Sequence, residues 1–231
     1  MRAADAPPGA APITLAGERL HLLPERAVWW PATATLFVAD LHLGKGAHFR
    51  ARGLPVPHGT TGDTLDRLSL LLQRHAVRTL VVLGDFVHAA DALAAPRLPA
   101  LQAWRAAHAE VAITLVAGNH DRPVAHWPAG LALQVAPEPH PLPASALLAA
   151  HHPQPVPGHA VLAGHLHPAV MLQGPGGDRL RLPCFAVRDD LLVLPAFGAF
   201  TGASARGLPA GARAYAVTPT LVRAVPHDGN S

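Results

Sequence analysis

The sequence predicts an α/β fold, and three observations carry that prediction. In the first half of the chain, short apolar segments alternate with segments of helical periodicity. In the second half, apolar segments are shorter, closely spaced and bounded by turn residues. The 25 prolines and 20 glycines are spread along all 231 residues and form no linker. These features predict one domain, residues 1–231, with a parallel sheet first and a strand-rich second sheet after it.

The chain opens with strands. Ile13–Leu15 and Arg19–Leu22 flank Gly17–Glu18 as the two arms of a hairpin would, and Ala27–Trp30 predicts a further strand. Thr35–Ala39 is a short apolar run that ends at an aspartate. A run of this kind suits a strand that is buried on both faces.

The next part alternates loop, helix and strand. We interpret Gly44–Gly59 as a loop, because it contains several glycines and prolines. A helix is predicted from a cap at Thr60 or Thr61 to about His75, since leucines recur there at helical spacing. The elements that follow are predicted to be a buried strand, a helix and a buried strand: Thr79–Leu83, Arg97–His108 and Ala112–Val116.

The second half contains five short apolar segments, which predict the strands of a second sheet: Ala146–Ala150, Ala160–Ala163, Ala169–Leu172, Arg179–Leu182 and Leu191–Leu194. The region after Leu194 carries no recognisable motif. Both completion of the sheet and formation of an interface are compatible with it.

Composition narrows the classes of function. The formal charge is +3, and Lys45 is the only lysine. No dense block of basic residues is present, so the charge permits a phosphate-bearing partner without establishing one. The lone Cys184 excludes an internal disulfide. The N-terminus has no apolar signal core and no run is long enough to span a bilayer, so we expect a cytoplasmic protein without a membrane partner.

Residues able to bind metal follow five of the apolar segments. In chain order they are Asp40 and His42, Gly84–Asp85, Gly118–Asn119–His120–Asp121, His151–His152, and Gly164–His165–Leu166–His167. In open α/β sheets, ligands bind beyond the carboxyl ends of the strands. We therefore expect the five clusters to converge at one edge.

The types of residue in these clusters predict a pair of divalent cations. Two cations roughly 4 Å apart can clamp the oxygens of a phosphoryl displacement, and a carboxylate between them offsets their repulsion. Asp85 is placed to act as that bridge. The mixed nitrogen and oxygen donors suit manganese, iron or zinc. Glycines before Asp85, Asn119 and His165 would let the backbone come close to the metals.

The ordered blocks D-x-H, G-D, G-N-H-D, a lone histidine and G-H-x-H, over residues 40–167, resemble the calcineurin-like metallophosphoesterase superfamily. The resemblance implies a calcineurin-like four-layer sandwich, in which two mixed β-sheets are flanked by helices. It also implies the metal ligands: Asp40, His42, Asp85 and His167 for one ion, and Asp85, Asn119, His151 and His165 for the other.

The same resemblance implies roles for the neighbouring residues. His120 would act as the general acid or as a group that positions the substrate, and Asp121 would orient its ring. In the fourth block the family shows a histidine followed by glycine, whereas this chain has His151–His152. We favour His151 as the ligand because it directly follows the strand.

A finer resemblance rests on D-L-H-L-G-K at 40–45, F-R at 49–50, G-L-P-V-P at 53–57, H-H-P at 151–153 and G-H-L-H-P at 164–168. These segments are similar to the ligase-associated DNA damage response endonucleases. That likeness implies a DNA endonuclease or phosphodiesterase that acts on single-stranded DNA with two Mn²⁺ ions. It further implies a role in DNA repair and an ATP-dependent DNA ligase as partner. The oligomeric state stays open, a homodimer included.

Four further residues are candidates for binding substrate: Lys45, Arg50, Arg52 and His88. Each could equally be an ordinary loop residue. His48 and seven other histidines follow no pattern that we recognise. The four tryptophans are more typical of packing than of base stacking.

Two alternatives to a DNA substrate remain at this point. The same site could cleave a small phosphodiester, such as a cyclic nucleotide or a nucleotide-lipid pyrophosphate. A strongly amphipathic helix would favour the lipid substrate, and we find none. The chain could also be a catalytically silent scaffold that binds partner proteins, but a scaffold should have lost ligands and this set is complete.

Overall fold

The structure is a computed structural model. It describes residues 6–55, 59–94, 97–174, 176–198, 201–202 and 208–226. Residues 56–58 belong to the segment that we interpreted as a loop, and they lie outside the described residues.

The first sheet has seven strands that neighbour one another in chain order. They are β1 (Ala11–Leu15), β2 (Glu18–Leu22), β3 (Val28–Trp30), β4 (Thr35–Val38), β5 (Thr79–Leu83), β6 (Ala112–Val116) and β7 (Leu133–Ala136). Pairing is antiparallel from β1 to β4 and parallel from β4 to β7. The predicted strands of this half are therefore all present, and β7 is an additional strand that the sequence analysis did not identify.

Three helices accompany this sheet: α1 (Lys45–Ala51), α2 (Thr60–Arg74) and α3 (Arg97–Ala107). Helix α2 buries Leu65, Leu68 and Leu72, whose spacing of three and four residues places them on one face. That face packs with leucines of α3 and with one face of strands β4 to β6. The predicted threonine cap is wrong, because Gly59 occupies the N-cap at φ +88° and no side chain caps the helix.

The interpretation of Gly44–Gly59 as a loop is also wrong in part. Gly44, at φ +84°, is the N-cap of α1, and the helix runs through Ala47, Phe49 and Ala51. The glycines and prolines on either side of this segment mark its ends and do not interrupt it. Helix α1 consequently begins only three residues after His42, which places it beside the predicted metal ligands.

The second sheet contains the remaining strands: β8 (His140–Pro141), β9 (Leu147–Ala149), β10 (Ala160–Ala163), β11 (Ala169–Gln173), β12 (Arg179–Val187), β13 (Leu191–Val193), β14 (Arg213–Val217) and β15 (Val222–Val225). Their order is β15-β14-β12-β13-β10-β9-β8, with β11 paired to the first part of β12. Strands β9, β10 and β13 are parallel. Since β14 and β15 lie in this sheet, the region after Leu194 completes it.

The two sheets share a core. Phe37 and Leu83 from the first sheet pack with Leu162, Phe185 and Leu192 from the second. The outer face of the first sheet is covered by α2 and α3. In the described part of the chain, the outer face of the second sheet is covered by connecting segments around Val156, Leu166 and Leu208. The predicted α/β class with two mixed sheets is confirmed.

Among the described residues, no helix is both long enough and apolar enough to cross a bilayer.

Candidate metal centre

The structure brings together all seven predicted metal ligands at the carboxyl ends of five strands. His167 Nε2 lies 3.3 Å from Asp40 Oδ1, and His42 Nε2 lies 3.7 Å from Asp85 Oδ2. His151 Nε2 is 3.7 Å from Asp85 Oδ1. The same nitrogen lies 3.0 Å from Asn119 Oδ1 and 3.1 Å from His165 Nδ1. Parallel strand pairing in each sheet produces this convergence, because it places successive strand ends at one edge.

Sharp backbone turns at the strand ends point these side chains inward. Asp40, His42, Asp85, His165 and His167 all adopt left-handed backbone conformations, with φ between 47° and 70°. Non-glycine residues rarely adopt this region, and aspartate and histidine are among those enriched in it. Such conformations are costly and concentrate at functional sites, where the surrounding fold maintains them.

Glycines in these turns leave room for the ligand side chains. A Cβ atom on Gly84, which has φ +79°, would lie 2.1 Å from His151 Nδ1. A Cβ atom on Gly118 would lie 2.4 Å from Asp85 Oδ1. The predicted close approach at these positions is therefore present, and its partner is the ligand side chain of a neighbouring loop.

The two carboxylates at the centre are buried with no matching fixed cation beside them. Asp40 is fully buried and Asp85 is 3% exposed. In the described residues, only histidines come within ion-pair distance of either carboxylate. Lys45 is a more distant positive charge, on which both aspartates exert a stabilising effect. Buried carboxylates are normally paired or coordinate metals, so this pair is suited to a cation.

His42 supplies the clearest test of whether a metal fits. Burial, and to a lesser extent the charge of Lys45, lowers the pKa of His42 to about 2. The ring is therefore neutral at physiological pH, with a free lone pair. Both of its nitrogens are buried and have no hydrogen-bond partner within the described chain. An imidazole nitrogen aimed at Asp85 and lacking a partner fits a metal ligand.

Glu138 distinguishes His151 from His152, and the sequence analysis did not identify it. Its Oε2 accepts hydrogen bonds from the backbone N–H groups of both histidines, each at 2.9 Å, and its Oε1 lies 2.7 Å from His152 Nδ1. His151 is fully buried, and its Nδ1 lies 3.0 Å from the carbonyl of Leu83. The geometry therefore supports His151 as the ligand and ties the His152 ring to Glu138.

Hydrogen bonds also fix the histidines of the last block. The backbone N–H of His165 donates to both oxygens of Asp40, at 3.0 and 3.3 Å. His167 Nδ1 lies 3.1 Å from the carbonyl of Gly202, which leaves Nε2 facing Asp40. Burial lowers the pKa of His167, but the hydrogen bond to Asp40 and the charge of Asp40 outweigh it and raise the pKa overall.

The predicted role of Asp121 is wrong. Its carboxylate accepts hydrogen bonds from the backbone N–H groups of Gly118, Val87 and Phe86, at 3.0, 3.2 and 3.3 Å. The His120 ring is instead oriented by the carbonyl of His88, which lies 2.7 Å from Nδ1. Adjacent residues in a tight turn point in different directions, so Asp121 joins the turns after β5 and β6 and does not hold the ring.

A group of aromatic rings borders the metal ligands on the side of α1. The rings of His88 and His120 stack with centroids 5.0 Å apart, and His42 lies 4.9 Å from His120. His48 and Phe49 of α1 approach His88 to 5.0 and 5.7 Å. His48 follows no sequence pattern that we recognise, and only the helical conformation of α1 places it next to this group.

The other candidate substrate residues lie along α1. Lys45 is its first residue, Arg50 lies in its last turn and the exposed Arg52 is its C-cap. Burial lowers the pKa of Lys45, and the charges of Asp40 and Asp85 act against that shift. Of the candidates on α1, Lys45 therefore interacts electrostatically with the metal ligands Asp40 and Asp85.

Several overlapping groups of donors are close enough to hold a metal ion. In each group the ligand atoms lie within 4.8 Å of one another: Asp40, His42 and His167; Asp40, Asp85 and His151; His151, His152 and His165; and His42, His88 and His120. The first group contains ligands that we predicted for one ion, and the second joins Asp40 of that set to His151 of the other set through Asp85. Nitrogen and carboxylate donors of this kind fit manganese, iron or zinc.

Comparisons with known proteins agree with this geometry. The family model described as calcineurin-like phosphoesterase matches residues 34–154. A crystal structure of Pseudomonas putida nuclease MPE is 41% identical and covers 94% of this chain and 100% of its own, with a TM-score of 0.80. The E. coli phosphoesterase Yfce is 15% identical, with 81% and 95% coverage and a TM-score of 0.40. A search of curated proteins found no match.

The family match spans more than half of the chain and contains Asp40, Asp85, Asn119 and His151. The more similar structure covers 94% of the chain. The chain therefore belongs to the calcineurin-like phosphoesterase family and is a metal-dependent phosphoesterase.

Proposed function

We propose that this protein is a Mn²⁺-dependent DNA endonuclease that hydrolyses phosphodiester bonds in single-stranded DNA. The observation that carries the choice of a nucleic acid is the 41% identity to a nuclease over 94% of the chain, and the segments that resemble ligase-associated endonucleases favour DNA. The centre of seven ligands is the second support, because no predicted ligand is absent from it.

Two divalent ions would use the ligands in the sets implied by the family. Asp40, His42, Asp85 and His167 would hold one ion, and Asp85, Asn119, His151 and His165 the other. When bound, such ions supply Lewis-acid polarisation of the phosphodiester and stabilise the charge that develops on its oxygens. Asp85 contacts the histidines of both sets, His42 through Oδ2 and His151 through Oδ1, which suits it to bridge them.

His120 is the proposed general acid. Its Nδ1 is engaged with the carbonyl of His88, so Nε2 is the nitrogen free to deliver a proton. A water molecule would add to phosphorus, and protonation of the leaving oxygen by His120 would accompany cleavage of the bond between that oxygen and phosphorus. Lys45 would bind a phosphate oxygen beside the centre. His88 would position His120 through its carbonyl, and its ring would border the substrate.

The substrate claim is tested with one protein preparation and several substrates. Protein stripped with EDTA and reloaded with Mn²⁺ should cut a single-stranded DNA circle, and reloading with Mg²⁺, Zn²⁺ or Fe²⁺ compares the metals. Elemental analysis should give about two ions per chain. An Asp85→Asn variant is the negative control. No cleavage of DNA by fully loaded protein would contradict the proposal.

The same assay separates the alternatives. Faster turnover of a cyclic nucleotide or a nucleotide pyrophosphate than of DNA would assign the site to a small phosphodiester. Failure to bind metal and to hydrolyse bis-p-nitrophenyl phosphate would instead indicate a silent scaffold.

The biological setting is a further part of the proposal. It rests on the segments that resemble ligase-associated endonucleases, which favour a role in DNA repair and an ATP-dependent DNA ligase as partner. Co-purification with the ligase encoded in the same cell would test the partner, and light scattering would test for a homodimer. Cell fractionation would test the proposed cytoplasmic location.

A further inference from the structure

We propose that a basic cleft beside the metal centre binds the phosphate backbone of the DNA strand. One wall of this cleft is formed by Arg26 and Arg67, and the other by the β11–β12 hairpin with Arg179 and Arg181. The identity of the ligand as DNA rests on the proposed function. The cleft adds the path that the strand follows away from the scissile bond.

A cavity of about 370 Å³ separates the two walls. Arg26 and Arg67 line one side, and Pro183 and Val217 of the second sheet line the other. Glu25 also lines it, but Glu25 Oε1 is held 2.5 Å from Arg74 Nη1. The cleft therefore contains two guanidinium groups, and its carboxylate already has a partner.

The two guanidinium groups keep donors available for an anion. Arg26 donates from Nη1 to the carbonyl of Ala196 at 3.4 Å, and Arg67 donates from Nη2 to the carbonyl of Phe197. Each guanidinium has five N–H donors, so these bonds engage only a minority of them. The buried Nε of Arg67 has no hydrogen-bond partner in the described chain. Arginine donors in a planar fork match phosphate oxygens well.

The like charges of this pair are incompletely offset. Burial, and to a lesser extent the charge of Arg26, lowers the pKa of Arg67 to about 10. Glu25 and Asp63 act in the opposite direction but do not restore it. An anion between Arg26 and Arg67 would relieve this repulsion, as a phosphate group of a nucleic acid would.

The hairpin extends the second wall. Its register pairs Met171 with Arg181 and Gln173 with Arg179, which places all four side chains on one face. Pro183 belongs to the same face, two residues from Arg181, and lines the cavity together with its neighbour Leu182. Neither arginine makes a side-chain hydrogen bond or ion pair with any other described residue, and both are exposed. The acidic residue of the hairpin is Asp178, next to the turn.

Two segments of the chain connect the cleft with the metal centre. Strand β11 begins two residues after His167. The segment to which Arg26 and Arg67 donate continues directly into the centre, because Phe197 N donates to the carbonyl of Ala39 and Gly198 N to that of Asp40, at 2.8 and 3.1 Å. These connections place the cleft beside the metal ligands.

The test compares two charge reversals of equal size. Arg179→Glu/Arg181→Glu alters the hairpin, whose Leu182 and Pro183 line the cavity, and Arg213→Glu/Arg223→Glu alters two exposed arginines on β14 and β15, outside the hairpin. Arg26→Asn removes one charge from the other wall, and asparagine tolerates the φ of +66° found at this position. Binding of a fluorescent 20-nucleotide single strand is measured by anisotropy in Ca²⁺ over a range of salt concentrations, and turnover of bis-p-nitrophenyl phosphate in Mn²⁺ is measured in parallel.

We expect the hairpin variant to bind the strand at least about tenfold more weakly, and to reduce the slope of log affinity against log salt by about 1.4, since each lost contact with a single strand contributes about 0.7. Arg26→Asn should weaken binding about threefold. The control variant and the turnover of the small diester should be unchanged.

Equal weakening by the hairpin and control variants would overturn the cleft, because it would indicate only a loss of net charge. Absence of DNA binding by the wild type would overturn it as well. Absence of diester turnover by the wild type would contradict the proposed function. The DNA-binding measurements would then show separately whether the cleft binds the strand.

Discussion

The two halves of the metal centre are held in different ways. Around His151, both ring nitrogens have hydrogen-bond partners, and Glu138 holds the backbone of the turn. Around His42, both ring nitrogens are buried without partners in the described chain. Hydrogen bonds thus organise the His151 half before any ion binds. The His42 half depends on packing, and an ion would satisfy the missing interaction.

Asp85 is the residue common to both halves, so its substitution should have the largest effect. Asp85→Asn keeps the shape and tolerates the left-handed backbone, but it removes the charge between the two sets of ligands. We expect binding of both ions to weaken and phosphodiesterase activity to fall about 10³-fold or more, in line with the loss of a main electrostatic element. Elemental analysis and turnover of a chromogenic diester measure these effects. Two tightly bound ions in the variant would contradict the bridging role.

Removal of Glu138 should affect one half only. Glu138→Ala leaves two partly buried backbone N–H groups, at His151 and His152, without their acceptor. We expect the affinity of one ion to fall about 10- to 100-fold, the range seen for groups that orient metal ligands. Calorimetric titration with Mn²⁺ should then resolve one weakened and one unchanged site.

His152→Ala is the matched control for this change. It removes the side-chain contact with Glu138 and retains both backbone bonds, so it should leave both affinities nearly unchanged. Equal weakening of the two sites in Glu138→Ala would show that Glu138 supports the fold in general and not the His151 half.

Matched substitutions of the two histidines sharpen the comparison in metal-free protein. His151→Asn removes hydrogen-bond contacts with Leu83 and Asn119, whereas the His42 ring makes no hydrogen bond that His42→Asn could remove. At about 1 kcal/mol per hydrogen bond, His151→Asn should be about 2 kcal/mol more destabilising. Urea unfolding in EDTA measures the difference. Equal losses of stability would mean that packing dominates in both halves.

The pH dependence of the metal-free protein gives the smallest predicted effect. The folded-state pKa of His42 is about 2 and its ordinary value is 6.5, so below pH 6.5 the unfolded chain binds a proton that the folded chain does not. Stability is therefore complete above about pH 6.5 and decreases as the pH falls towards 2. Between pH 6.5 and 5.5, wild type should lose about 1 kcal/mol more than His42→Asn. An equal loss of stability in the wild type and in His42→Asn between these two pH values would contradict the prediction.

The sequence predicted the positions of the ligands better than the interactions that support them. Apolar runs such as Thr35–Val38 and Thr79–Leu83 identify buried strands locally, and the residues that follow them are placed by the strand itself. The role of Glu138 depends on a contact with a turn 13 residues away, for which no local pattern exists. Asp121 was misassigned because adjacency to His120 in the sequence suggested contact, whereas the turn separates their side chains.

The missed elements have a similar explanation. Helix α1 is only seven residues long, and flanking glycines and prolines resemble those of a loop. Strand β14 exposes Arg213 at its start and buries Ala214, Ala216 and Val217, which is a weak pattern without the partners supplied by β12. Pairing with other strands, and not local sequence, defines these elements.

Lys45 stands at the entrance of α1, within electrostatic reach of Asp40 and Asp85, and it is the only lysine in the chain. A reagent that acylates ε-amino groups therefore has a single side chain to modify, and that side chain lies at the metal centre. Mass spectrometry could count this modification directly, so the rate of labelling becomes a reporter of whether metal and DNA occupy the centre, with no probe engineered into the protein.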